Sequence, residues 1–201
     1  MKLNHQIMEL ASRDTIMRAA DDLRLRKKNG VICFDSESDT HFLMDRVIHD
    51  ISIDGRMVIE LFRDRNKGQL TVDEQKLLDA LVDCEYSLFI VQQIDAGHGL
   101  RLLDAFSERE IFLVDVNLSR TAVAGHLLAT RVVSLDGIMF TTGCACPFPG
   151  QYLPQLKNNF VCLFEEKKYQ MTWEEMMRRH SPYFFITMKQ AGVAIDFGDA
   201  V

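Results

Sequence analysis

The chain has 201 residues, 47% of them apolar and 26% charged, which is enough for a single globular domain with a substantial core. Its net charge of -6 argues against nucleic-acid binding, which needs clustered Lys and Arg to neutralise phosphates. No apolar run reaches the length of a membrane span, and the polar start MKLNHQIMELASRD lacks the apolar centre of a signal peptide, so a cytoplasmic protein is expected.

The apolar pattern alternates between helical and strand-like stretches. Residues 6 to 28 carry Ile7, Leu10, Ile16, Ala20 and Leu23 at helical spacing; the stretch ends in the basic run RLRKK and then Gly30, a helix stop. VICF (31–34) is a short continuous apolar run of the kind a strand buried on both faces shows. Ser38 or Asp39 then caps a helix with Leu43, Val47, Ile48 and Ile51 on one face, closed by Asp54-Gly55. MVIELF (57–62) reads as a second strand. Thr71-Val-Asp-Glu74 is a capping box that opens a helix with Leu77, Leu78, Leu81 and Val82 inward.

YSLFIV (86–91) is the third strand, residues 97–108 a helix, and IFLVDV (111–116) the fourth strand. Residues 119–130 fit a short helix and GIMFTT (137–142) a fifth strand; RVVSLDGIMF also fits a hairpin around Asp136-Gly137, and the choice stays open. All four prolines follow residue 146, so the composition changes there. CACPFPGQYLP reads as an irregular loop and FVCLFE (160–165) as a strand. Thr172-Trp-Glu-Glu175 is a second capping box, and YFFITM a final apolar segment.

Repeated strand–helix units imply an α/β fold: a mostly parallel five-stranded sheet with helices on both faces, in a domain of residues 1–146, with a C-terminal extension of residues 147–201 packed on it. In such a sheet ligands sit beyond the carboxyl ends of the strands. That rule selects Asp35, Glu37, Ser38 and Asp39 after the first strand, Gln92, Asp95 and His98 after the third, Asp115, Asn117 and Arg120 after the fourth, and Thr141 after the fifth.

The order of elements over residues 12 to 143 resembles the core of the P-loop NTPases, with strand 31–34 and helix 39–51 in the Walker A position and strand 86–91 in the Walker B position. The motif itself is missing. FDSESDTH (34–41) has no glycine or lysine and three acids, and Gln92 and Gln93 stand where Walker B acids belong. The resemblance therefore implies a degenerate, pseudo-ATPase-like domain without cofactor, serving as an interaction or regulatory module in a larger bacterial assembly.

VICFDSES also resembles the opening motif of the haloacid-dehalogenase-type phosphotransferases, in which an aspartate nucleophile and a second acid work with Mg²⁺. That resemblance implies the alternative function, a Mg²⁺-dependent phosphate-handling enzyme using Asp35 and Glu37, with Asp115 completing the metal site. Its second acid is here Glu rather than Asp.

The five cysteines form no disulfide-like framework. Cys33 and Cys84 read as small core residues. Cys144-x-Cys146 supplies two thiolates at a spacing shorter than the usual C-x₂₋₄-C of structural zinc, and Cys162 and His180 would have to be recruited to reach four ligands, so loop cysteines without metal are expected. A cysteine nucleophile served by His98 or His126 would need a geometry that spacing does not show. The Met- and aromatic-rich segment 171–197 suits either packing or an apolar interface, and through it a protein partner or homo-oligomer is expected.

Overall fold

Two Asp-Gly pairs set antiparallel turns in this chain, whose computed structural model describes residues 2–26 and 29–192. Asp54-Gly55 and Asp136-Gly137 all have positive φ (51°, 82°, 49° and 82°), the combination a two-residue hairpin turn needs. The first joins two short strands, β1 (Ser52–Ile53) and β2 (Arg56–Met57). The second joins β6 (Leu127–Leu135) to β7 (Ile138–Phe148), so the hairpin is the form taken around residue 136. The chain divides into two compact units, Met1–Cys84 and Glu85–Val201. The composition change at residue 146 falls inside β7.

The first unit is helical apart from the β1–β2 hairpin. The single helix expected over 6–28 is two helices, α1 (Lys2–Met8) and α2 (Arg13–Asp22), because Ser12 leaves helical geometry and its side chain caps α2 by accepting from the Thr15 N–H. α2 ends before the basic run, in which Lys27 and Lys28 lie outside the described residues. VICF is not a strand: Ile32 makes one isolated bridge with Arg26, and Val31 and Phe34 are exposed. α3 (Glu37–His49) packs against α1, α2 and α4 (Val58–Arg65). MVIELF, expected as a strand, is mostly α4: Glu60 accepts from the Met57 N–H at 2.7 Å, and Val58, Ile59 and Phe62 share one buried face. The Thr71 capping box opens α5 (Val72–Val82) as expected.

The second unit is a closed five-stranded barrel in the order β3-β4-β5-β7-β6, formed by β3 (Glu85–Asp95), β4 (Gly99–Asp104), β5 (Glu110–Val114), β6 and β7. Its neighbours are antiparallel except β5 and β7, which run parallel and meet at one register pair, Leu113 and Met139. Phe89, Val91, Leu100, Leu102, Leu113 and Leu128 fill its core. A mostly parallel α/β sheet is therefore absent among the described residues, and with it the scaffold that the P-loop resemblance and the pseudo-ATPase reading required.

Each further misreading has a local cause. Residues 97–108 were expected as a helix because Leu100, Leu103 and Phe106 recur every third residue. The buried positions are instead Leu100 and Leu102, at the period of a strand, and this is β4. Residues 119–130 hold only the end of the short helix α6 (Val116–Thr121) and the start of β6, and β6 is buried along most of its length, so no alternation betrays it. CACPF is the end of β7 rather than a loop. FVCLFE lies in α7 (Leu153–Lys167), entered through Pro154 and packed by Leu156 and Phe160 one turn apart. The Thr172 box opens α8 (Trp173–His180), and YFFITM lies in α9 (Pro182–Gln190).

β3 is buried on both faces because α8 packs against it from outside the barrel, while α9 packs on β7. Phe184 of α9 stacks on Tyr86 of β3 and on Phe160 of α7, with ring centroids 5.8 and 4.5 Å apart. Arg131 of β6 is 1% exposed; its guanidinium lies 5.3 Å from the ring centre of Tyr86, its cross-strand neighbour. The helices thus form one wall over one side of the barrel.

Candidate functional site

The acidic elbow owes its shape to Asp39. Ser36 is the N-cap of α3, and the Asp39 carboxylate, third in the helix, reaches back to accept from the Asp35 N–H at 2.8 Å and the Ser36 hydroxyl at 3.1 Å. Asp39 is 2% exposed, so this carboxylate is committed to holding the turn. The Ser36 and Ser38 hydroxyls lie 2.7 Å apart, and the Asp35 and Glu37 side chains stand in solvent.

A second polar group gathers around the β3–β4 turn in the barrel unit. The Asp115 carboxylate caps α6 by accepting from the Leu118 N–H at 2.9 Å, and its other oxygen faces the Thr141 hydroxyl at 3.4 Å. The Asp115 N–H donates to the His98 carbonyl, and Ser119 accepts from the Gly97 N–H at 2.9 Å. His98 Nδ1 lies 3.2 Å from Asp95. These contacts tie the turn, α6 and β7 together; Leu118 enters the barrel core. They satisfy backbone groups that would otherwise be orphaned.

One concave feature of this unit is an open, mainly apolar groove of about 310 Å³, lined by Phe106, Ser107, Lys157, Val161, Phe164 and Trp173. α7 supplies one wall, since Lys157, Val161 and Phe164 recur at the three- and four-residue steps that share a helix face. Trp173, the first residue of α8, meets Phe106 and Phe164 edge-on with centroids 4.8 and 5.1 Å away. Val161 is 40% exposed, so the groove floor is open to solvent.

The helical unit contains a different kind of feature. α3 buries Asp45, Arg46 and His49 as well as Asp39. Arg46 bridges Asp22 at 2.7 Å and Asp50 at 3.2 Å, which pairs the buried guanidinium with carboxylates on both sides. His49 Nδ1 lies 3.6 Å from Cys84 Sγ, and its Nε2 is 4.0 Å from Asp45.

A family model described only as a family of unknown function, DUF7986, matches residues 1–197. The chain belongs to DUF7986. No curated protein and no solved structure matches it.

In this DUF7986 chain the expected site residues fall into separate places. Asp35, Glu37, Ser38 and Asp39 belong to the helical unit, and Asp95, His98, Asp115 and Thr141 to the knot at the barrel turn. Gln92 lies apart on β3, 3.4 Å from Glu110, while Asn117 and Arg120 are exposed on α6. Among the described residues no three His, Cys, Asp or Glu side chains are grouped to hold a metal ion. No helix among them is long and apolar enough to cross a membrane.

Of the Met- and aromatic-rich segment, Met176, Met177, Phe184, Phe185 and Met188 are buried within the barrel unit, whereas its end, residues 193–197, lies outside the described residues. The groove went unread because its residues come from three distant stretches, though the Lys157–Val161–Phe164 spacing is a visible trace of it. Ser119, and the pairing of His49 with Cys84, were missed as well. The one trace of the latter is an Asp and a His four residues apart on α3.

Proposed function

We propose that this chain is an interaction module whose barrel unit receives an amphipathic segment of another protein in the groove between α7, α8 and the β4–β5 turn. The observation that carries this reading is the combination of three half-buried aromatic rings with an exposed valine in one open groove. Aromatic anchors with a clear approach are where binding energy concentrates at protein interfaces.

Charge selects the occupant. Lys157 lines the groove and is its charged lining residue, whereas Lys168, just past the end of α7, is paired with Glu165. A helical segment with apolar anchors one turn apart and an acidic residue set against Lys157 matches that groove, in the helix-in-groove mode. The Mg²⁺-dependent alternative has less support: Asp39 and Asp115 are occupied as caps, and Asp35 and Glu37 follow no strand.

Trp173 is the only tryptophan, so its fluorescence reports directly on the groove. A synthetic peptide with leucines at one-turn spacing and glutamates at both ends is expected to give a saturable change, and its lysine-flanked counterpart a much weaker one. Val161→Glu should cost at least about tenfold in affinity, or about 1.4 kcal/mol. Equal response to both peptides, or none to either, would refute the proposed occupant.

A further inference from the structure

Cys84, His49 and Asp45 stand in the order of a nucleophile, its base and the group that orients the base. Cys84 Sγ lies 3.6 Å from His49 Nδ1, and the opposite ring nitrogen faces an Asp45 oxygen at 4.0 Å. His49 and Asp45 are one turn apart on α3, so the helix holds their spacing. α5 ends at Val82, and its cap residue Asp83 leads directly to Cys84. His49 and Asp45 are buried, whereas Cys84 is half-buried, so the base is shielded and the cysteine residue is partly exposed. A nucleophile within hydrogen-bond distance of a base, itself directed by a third group, is the arrangement that activates thiols.

We propose that Cys84 is a modification site: a thiol activated by His49 that forms a mixed disulfide with a low-molecular-weight disulfide. Thiol–disulfide exchange asks for a thiolate, an approach route and a proton acceptor. In the step, His49 Nδ1 takes the Sγ proton and the Cys84 thiolate attacks one sulfur of the disulfide. The new S–S bond forms as the old one breaks, and the departing thiolate leaves as a thiol with the proton from His49. Cys84 is oxidised and the leaving sulfur reduced, so no further oxidant enters. Asp45, 4.0 Å from Nε2 and so at ion-pair rather than hydrogen-bond distance, acts as a positioning residue by favouring the imidazolium that forms when Nδ1 takes the proton. This site is separate from the groove and does not depend on what the groove binds.

The test uses the full chain at neutral pH with oxidised glutathione as probe, following each cysteine by peptide mass spectrometry. Cys162, exposed on α7, is the internal reference. A larger thiolate fraction, partly offset by the lower nucleophilicity of a more acidic thiol, should make Cys84 react at least about threefold faster than Cys162 despite its lower exposure. His49→Gln should bring Cys84 down to the Cys162 rate or below, Asp45→Asn should slow it in part, and neither should change Cys162. Circular dichroism checks that each variant is folded; should His49→Gln fail to fold, the wild-type comparison and Asp45→Asn decide. Cys84 no faster than Cys162, or a Cys84 rate unchanged in a folded His49→Gln or Asp45→Asn protein, would overturn the proposal.

Discussion

Gly99 shows how narrowly single positions constrain the barrel. A Cβ there would sit 2.1 Å from the Leu113 carbonyl oxygen, and that neighbour is backbone of the paired strand β5, which cannot swing aside. Gly99→Ala is expected to force β4 and β5 apart and cost about 1–3 kcal/mol, measurable by chemical denaturation. At the elbow, Asp39 and Asp35 separate by the same reasoning. Asp39→Ala removes the acceptor of two hydrogen bonds at a buried position and should cost about 1–3 kcal/mol. Asp35→Asn alters an exposed side chain and should stay within about 0.5 kcal/mol. A Mg²⁺-dependent thermal shift with ATP or phosphate, lost in Asp35→Asn, would instead revive the phosphate-handling reading.

At the scale of elements, the two capping boxes act alike although they open helices in different units. Thr71 and Thr172 each accept from the N–H three residues on, while Glu74 and Glu175 return the bond to the N-cap N–H. Thr71→Ala and Thr172→Ala should each cost about 1 kcal/mol by urea denaturation. Thr172→Ala carries a second consequence, because α8 begins with Trp173: loosening that first turn should also weaken peptide binding in the groove, whereas Thr71→Ala should not. Equal effects of the two on binding would mean that the groove does not depend on the start of α8.

At the scale of the whole molecule, the barrel is unevenly closed. β3 pairs with β6 over residues 85–90 and with β4 over residues 89–95, and α8 packs against it, but β5 meets β7 at a single register pair. Native-state hydrogen exchange should therefore find the slowest amides of this unit at Leu88, Phe89 and Ala129, and faster exchange in β5 on the side facing β7. Uniform protection around the barrel would show that its closure is as strong there as elsewhere. The helical unit has its own buried centre in α3, where Arg46 holds two carboxylates.

By itself the sequence determined what short-range physics controls. Capping boxes at Thr71 and Thr172 and the strand at 86–91 each depend on a few adjacent residues and are present in the structure, while the turn at Asp136-Gly137 was one of two readings the sequence left open. Whether an apolar run becomes helix or strand was decided by tertiary burial. MVIELF became α4 and FVCLFE part of α7 because a six-residue apolar run is too short to separate helix from strand by period, while LLATRVVSL became β6, buried along most of its length and so without alternation. Those reversals turned an expected parallel sheet into a mixed barrel and a separate helical unit. The candidate sites follow the same division. The elbow was legible as an acidic helix entry, although its cap is Ser36 rather than the expected Ser38 or Asp39; the groove joins residues 106, 157–164 and 173, and the thiol pair joins residues 49 and 84. Contacts between residues so far apart exist only once the chain has packed, since nothing in their local sequence makes one half of either site require the other.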